Sequence, residues 1–217
     1  MSGYLSKSDF KIARDCPTKL YYDKRGYASL VDGDEYMRLL AEGGYMVEEI
    51  ARQLYPGGRA IDYFGGHEAA AKATADAVRP AHAVLYEATF ISAGKLVRVD
   101  ILEKNGNRFD LIEVKAKSWD SAENDARLAE DLPNVFRHKK NPQRIVEKWR
   151  QKYLEDVAFQ VMVLRELYPQ AEIRPFLLMP DTDKSTSIGA AGRAAHPPMA
   201  TASTSSGARL RAKGRAW

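Results

Sequence analysis

Between residues 35 and 54 apolar side chains recur every three to four positions, and Leu40, Val47, Ile50, Ala51 and Leu54 form one stripe. That spacing predicts a helix with one buried face, ended by Pro56-Gly57-Gly58. Upstream, Ser6 or Ser8 can cap a shorter helix holding Phe10, Ile12 and Ala13, which Pro17 interrupts. An alanine-rich helix follows over 67–78, and Pro80 stops it. The pattern then turns strand-like over 84–91, 95–103 and 108–117. Residues 120–141 are polar and charged and read as an insertion with weak helical character. Pro142 suits the first turn of a long helix reaching residue 168, with Ile145, Trp149, Tyr153, Val157, Val161 and Leu164 on its stripe. A strand over 172–179 closes the body. Beyond it, 182–217 is rich in Ala, Gly, Ser, Thr and Arg without any periodic apolar face, which predicts a disordered tail. The expected fold is thus a mixed α/β domain over 1–181, ordered helix, three strands, helix, strand.

Asn105-Gly106 separates the second and third strands and is a strong hairpin signal, because both residues tolerate positive φ. A two-residue turn there sets Lys104 against Asn107, Asp100 against Leu111 and Arg98 against Glu113. Side chains alternate along a strand, so Arg98, Asp100, Glu113 and Lys115 share one face. Val97, Val99, Ile101, Ile112 and Val114 take the other. Asp100 and Glu113 become diagonal neighbours, near enough for both carboxylates to reach one ion. A one-residue slip would separate them. Two carboxylates and an ammonium on one face can hold a divalent cation and poise a water beside a phosphate. The plainer alternative is a solvated sheet face on which Arg98 and Glu113 form a cross-strand ion pair.

Composition narrows the class. The chain has 217 residues, 45% hydrophobic and 29% charged, as expected of one globular domain. No apolar run approaches the roughly 20 residues of a membrane span, and Lys7, Asp9 and Lys11 fall where a signal peptide needs its apolar region. A single cysteine, Cys16, forms no internal disulfide and cannot alone ligate zinc or an iron–sulfur cluster. A cytoplasmic location is expected, with no membrane partner. The net charge of +4 misleads: six of the 33 basic residues and no acid follow Asp183, leaving 27 basic against 29 acidic residues before it, about −2. Global charge is therefore no argument that the body binds nucleic acid.

The stretch 84–117 resembles the PD-(D/E)XK nuclease superfamily, whose restriction-endonuclease-like core is helix, three-stranded meander, helix, strand. Asp100 matches that family's acid on the second strand, and Glu113-Val114-Lys115 its (D/E)-x-K on the third. Glu87, in Leu85-Tyr86-Glu87-Ala88, lies where many members carry an extra acid. The opening Leu5-Ser6-Lys7-Ser8-Asp9-Phe10, with Cys16-Pro17-Thr18-Lys19-Leu20-Tyr21-Tyr22, is similar to the start of the branch holding RecB-type and Cas4-like exonucleases. Gln160 resembles the glutamine of that branch's late helix, which contacts the DNA strand. The likeness spans residues 4–180 and is nearest to the N-terminal nuclease-like part of longer bacterial proteins, which implies a further C-terminal domain or partner protein. Three positions depart from the branch. Cas4-like enzymes need four cysteines for their iron–sulfur cluster, so none is expected here. No histidine lies in 35–54, where Glu48, flanking the apolar stripe, is favoured over Glu49 as a substitute. Leu164 stands where a tyrosine is common.

The resemblance implies a nuclease that hydrolyses DNA phosphodiester bonds, single- or double-stranded, exonuclease-like, in repair or defence. Its metal would be Mg²⁺ or Mn²⁺, which suit carboxylate oxygens and water. Asp100, Glu113 and the Val114 carbonyl would form the inner ligands, with Glu87 or Glu48 supporting a second ion or a bridging water. Lys115 would orient the attacking water or stabilise developing charge, with Lys117 as a possible backup. Tyr153 and Gln160, on successive turns of the long helix, would guide a strand. The alternative is an inactive nucleic-acid- or protein-binding module of the same fold. His67, His82, His138 and His196 have no paired spacing and suggest no metal box.

Overall fold

A computed structural model describes residues 3–28, 34–146, 149 and 153–184. Among the described residues six helices and a mixed sheet build an α/β body. The chain opens with a two-residue strand, β1 (Leu5–Ser6), and runs directly into α1 (Lys7–Asp15). Ser6 is the residue that caps. Its hydroxyl accepts from the Asp9 N–H, while Asp9 Oδ2 accepts from the Ser6 N–H at 2.7 Å, a reciprocal capping box. Lys24 of α2 (Pro17–Lys24) clamps Asp9 from outside at 2.7 Å. Pro17 ends one helix by starting the next, where its missing N–H is harmless.

Helix α3 (Glu35–Arg52) follows the predicted span, but the sheet covers only its last two turns. Val47, Ala51 and Leu54 pack, whereas Leu40 is 51% exposed beside exposed Leu39 and Tyr45. After a short strand β2 (Arg59–Ala60) and α4 (Gly66–Ala77) come three long strands, β3 (His82–Ser92), β4 (Lys95–Asn105) and β5 (Arg108–Val114). β5 ends three residues earlier than expected, at Val114. Residues 120–141 hold more structure than an insertion of weak helicity. Asp120 caps α5 (Ser121–Ala129) through the Glu123 N–H, and β6 (Arg137–His138) pairs antiparallel with β7 (Asn141–Ile145). Pro142 therefore lies in a strand and starts no helix, in a two-stranded sheet where a missing N–H costs little. The late helix, α6, begins at Glu155 and runs to Leu167, before β8 (Glu172–Leu178). The expected tail beyond Lys184 falls outside the described residues. No helix among the described residues is long and apolar enough to cross a membrane.

The main sheet runs β2-β3-β4-β5-β8, with β2 parallel to β3, β8 parallel to β5 and antiparallel pairs between. The hairpin turn is Gly106-Asn107, with Gly106 at φ +60, one residue later than expected. Leu111 consequently faces Leu102 rather than Asp100. The slip is two positions, an even number, so Asp100 and Glu113 stay on a common side, but they follow the Ile101–Ile112 pair directly across from each other rather than as the expected diagonal neighbours.

Two side-chain layers flank the sheet. One gathers Leu85, Ala88, Phe90, Val97, Val99, Leu102, Phe109 and Leu111 with residues of α1, α4 and α6, including Phe10 stacked on Phe159 at 4.8 Å between centroids. The other joins Ile101, Ile112, Val114 and Leu178 to α3. This partition corrects the expected faces, since Val97 and Val99 lie in a different layer from Ile101. The ladder between β3 and β4 pairs Tyr86 with Ile101 and Ala88 with Val99 but skips Glu87 and Asp100. Glu87 has a φ of 56°, a left-handed conformation rare for a side chain of its size. Both strands change face at this unpaired couple, with the register the same on either side of it.

The capping box at α1 predicts a stability with a defined pH sign. Burial alone would raise the Asp9 carboxyl, but Lys24 and the Ser6 donors outweigh it and hold it below 3.8. Asp9 therefore stabilises the fold above that value, and the contribution is lost as pH falls through the depressed one. Urea unfolding of Asp9→Asn should show a deficit of about 1 kcal/mol at pH 7 that closes in acid.

Candidate active site at a fork in the sheet

β4 has two successive partners on one side. At its start, Lys95 and Leu96 pair with β1; from Ile101 onward it pairs with β5. Between them the sheet forks. Asp100 stands at the fork, and its Oδ2 accepts the Val114 N–H at 2.7 Å where a backbone carbonyl would have bonded. The N–H and C=O of a strand residue point to the same neighbour, so the Val114 carbonyl also faces the fork. Lys7, the first residue after β1, reaches in from the opposite bank.

Glu113 is the centre of this arrangement. It is 0% exposed, and both oxygens are engaged. Oε1 accepts from Lys7 Nζ at 2.7 Å and from Lys115 Nζ at 2.5 Å; Oε2 accepts from Gln160 Nε2 at 2.6 Å. Lys115 also donates to Asp156 Oδ2 at 2.9 Å, and Lys11 approaches the same oxygen at 3.4 Å. Asp156 and Gln160 lie one turn apart on α6, both 0% exposed. Their remaining oxygens, Asp156 Oδ1 and Gln160 Oε1, are buried with no protein partner among the described residues. Two carboxylates, Glu113 and Asp156, and three ammoniums, Lys7, Lys11 and Lys115, thus interlock beneath the fork.

The electrostatics separate the two strand acids. Burial, and then the neighbouring Glu113 charge, push Asp100 up to about 7 against the pull of Lys7 and the Val114 N–H. Burial also opposes ionisation of Glu113, but Lys7 and Lys115 overcome it and draw the carboxyl down to about 2. Lys115 itself is raised: burial works against its charge, while Glu113 and Asp156 more than compensate. Two neighbouring carboxylates of which one ionises reluctantly form a donor set that an added cation would relieve.

Glu48 and Glu87 form a neighbouring acidic pair. Arg52 Nη2 reaches both, Glu48 at 2.7 Å and Glu87 at 3.0 Å, and Arg98 meets the second Glu87 oxygen at 2.5 Å. Burial, then a hydrogen bond shared with Glu87, raise Glu48 to about 7 despite Arg52. Arg98 therefore pairs within β3–β4 and does not face Glu113, and its guanidinium lies over the Tyr63 ring. Among the described residues no three His, Cys, Asp or Glu side chains gather at ligand spacing. The donors that fit a hard cation are Asp100, Glu113 and the Val114 carbonyl, a set that leaves most positions to water, as Mg²⁺ commonly does.

No family model, curated protein or solved structure matches this chain. The site rests on its own geometry.

The fork joins Asp100, Glu113, Val114, Lys115 and Gln160, five of the residues singled out from sequence. It leaves Lys117 exposed past the end of β5 and places Tyr153 in a separate aromatic cluster, 5.5 Å from Trp149 between ring centroids and near Trp119 and Met179. Gln160, expected to touch a strand, is enclosed and holds Glu113 in place. Lys7 and Asp156 were not foreseen. Each lies more than forty residues from its partner, and only topology reveals the contact.

A pH-dependent stability follows for the metal-free chain. A carboxyl raised from 3.8 to about 7 on folding keeps its proton in the native state after the unfolded chain has lost it, so stability falls as pH rises across that window. Glu48 acts with the same sign. Chemical denaturation in chelator from pH 4 to 8 should show this decline, and Asp100→Asn should flatten it in part. An unchanged slope in the variant contradicts the assignment to Asp100.

Proposed function

We propose that this protein is a metal-dependent nuclease of the PD-(D/E)XK type, a restriction-endonuclease-like fold working in the cytoplasm on single- or double-stranded DNA in an exonuclease-like manner. The observation that carries the reading is the fork: Asp100, Glu113 and Lys115 come from adjacent strands to one partly open point. A mixed sheet with the helices and strands in the order that family uses supports it.

Asp100, Glu113 and the Val114 carbonyl would hold Mg²⁺ or Mn²⁺. When bound, such an ion lowers the pKa of a coordinated water and neutralises charge on a phosphate. The remaining roles belong to the chain. Lys115, fixed between Glu113 and Asp156, presents a permanent positive charge that can orient the water or stabilise the pentacovalent phosphate. Gln160 keeps the Glu113 carboxylate from rotating. Asp100, easily protonated in the metal-free state, becomes a competent ligand only in its ionised form. Glu48 and Glu87, held by Arg52 and Arg98, stand beside the site as support for a bridging water.

A second reading is a binding module that has kept the fold without catalysis. The observation favouring it is that Glu113 already has both oxygens satisfied by Lys7, Lys115 and Gln160. Cleavage of labelled DNA in Mn²⁺ separates the two. Wild type should cut, and Asp100→Ala and Lys115→Ala should each lose about 10²–10³ in rate. Binding without cleavage would favour the module, and cleavage surviving both substitutions would remove the activity from this site.

A further inference from the structure

We infer that Lys7 is a built-in counter-cation of the fork, holding Glu113 while no divalent ion is bound and giving way when one arrives; this rests on the metal-dependent reading above. Glu113 Oε1 receives two ammoniums, Lys7 at 2.7 Å and Lys115 at 2.5 Å. A buried carboxylate needs a compensating charge, but a second cation on the same oxygen repels the first. One of the two is therefore expendable once another positive charge is supplied.

The geometry says which. Lys115 has a second anchor in Asp156 at 2.9 Å, so losing Glu113 Oε1 still leaves it paired. Among the described residues Lys7 has Glu113 as its only hydrogen-bond acceptor. Its side chain is 23% exposed against 1% for Glu113, so it has a path to water. Its backbone need not move: Leu5 and Ser6 are held on β4, and the capping box fixes the first turn of α1. Only a flexible four-carbon stem has to swing.

Lys7 also stands where the ion would stand. Glu113, Asp100 and Asp156 all draw its charge, and the first two are the carboxylates that fit a divalent cation. An ammonium and a divalent ion cannot both contact one carboxylate oxygen without strong repulsion. Binding of the ion and seating of Lys7 on Glu113 are thus mutually exclusive, and each must weaken the other equally. In the metal-free chain Lys7 preserves the fold of the fork. In the loaded chain its displacement is a fixed penalty on affinity.

Calorimetric titration of the full chain with MnCl₂, paired with thermal melting in chelator, tests this. Lys7→Met should melt below wild type without metal, yet bind Mn²⁺ roughly tenfold or more tightly and gain more in melting temperature on adding it. Lys7→Arg, which keeps the charge, should behave as wild type, and Asp100→Asn should lose Mn²⁺ binding. Mn²⁺ binding by Lys7→Met where wild type shows none would support the inference in its extreme form. Equal or weaker binding by Lys7→Met, with wild-type binding intact and dependent on Asp100, overturns the role of Lys7 while the metal site stands. A Lys7→Met chain that stays unfolded in Mn²⁺ also overturns it. No Asp100-dependent binding in any of these proteins removes the metal reading, and the inference with it.

Discussion

One buried carboxylate organises this molecule. Glu113 lies on a central strand with no access to solvent, and an ionised group there is tolerable only if the surrounding elements bring it charge and hydrogen bonds. Lys7 comes from the start of α1, Gln160 from the middle of α6 and Lys115 from the end of its own strand. Each contact fixes one element against the sheet. The interaction is specific in a way that the apolar layer around it is not, because Phe10 on Phe159 asks only for an apolar neighbour, whereas a buried carboxylate is satisfied only by charge and hydrogen-bond donors. Removing one partner of such a group typically costs about 3–5 kcal/mol, comparable with a large share of a domain's net stability.

The fork that exposes this charge has its own cause. β4 pairs with β1 at one end and β5 at the other, so a segment between them lacks a backbone neighbour on that side. Asp100 fills the vacancy by accepting the Val114 N–H. Across β4, Glu87 adopts a left-handed backbone that strands seldom allow, and the ladder skips both acids. Arg52 and Arg98 hold the strained residue by ion pairs. Backbone strain of this kind, of order 1–3 kcal/mol, persists where the surroundings over-determine it. Here it turns two acids on neighbouring strands out of register with the apolar alternation, and the sheet acquires a polar notch between two hydrophobic layers.

Much of this was readable from residues alone, and the exceptions have physical reasons. Alternation over Leu96 to Ile101 and the Asn-Gly pair located the hairpin. The turn formed one residue later because Gly106 leads it with positive φ while Asn105 keeps an ordinary strand conformation. The acids stayed on a common side because the resulting slip was even. Strict alternation misplaced Val97, Val99 and Arg98, since the left-handed Glu87 and the unpaired Asp100 across from it bring a change of face that no period-two count contains. Pro142 carried a helix-start signal that the edge of a two-stranded sheet satisfies equally well. Leu40 belonged to an apolar stripe longer than the sheet that covers it. Lys7 and Asp156 read locally as surface charges near helix starts; their meaning comes from the parallel docking of β1 and the position of α6, which a linear pattern does not encode.

The most direct test of the account is a crystal structure of the chain soaked in Mn²⁺, with anomalous scattering used to place the ion. One strong peak is expected in the fork, bonded to Asp100, Glu113 and the Val114 carbonyl, with the Lys7 ammonium withdrawn and Lys115 still on Asp156. A fork left without anomalous signal, with Lys7 seated on Glu113 at full Mn²⁺ concentration, would contradict it.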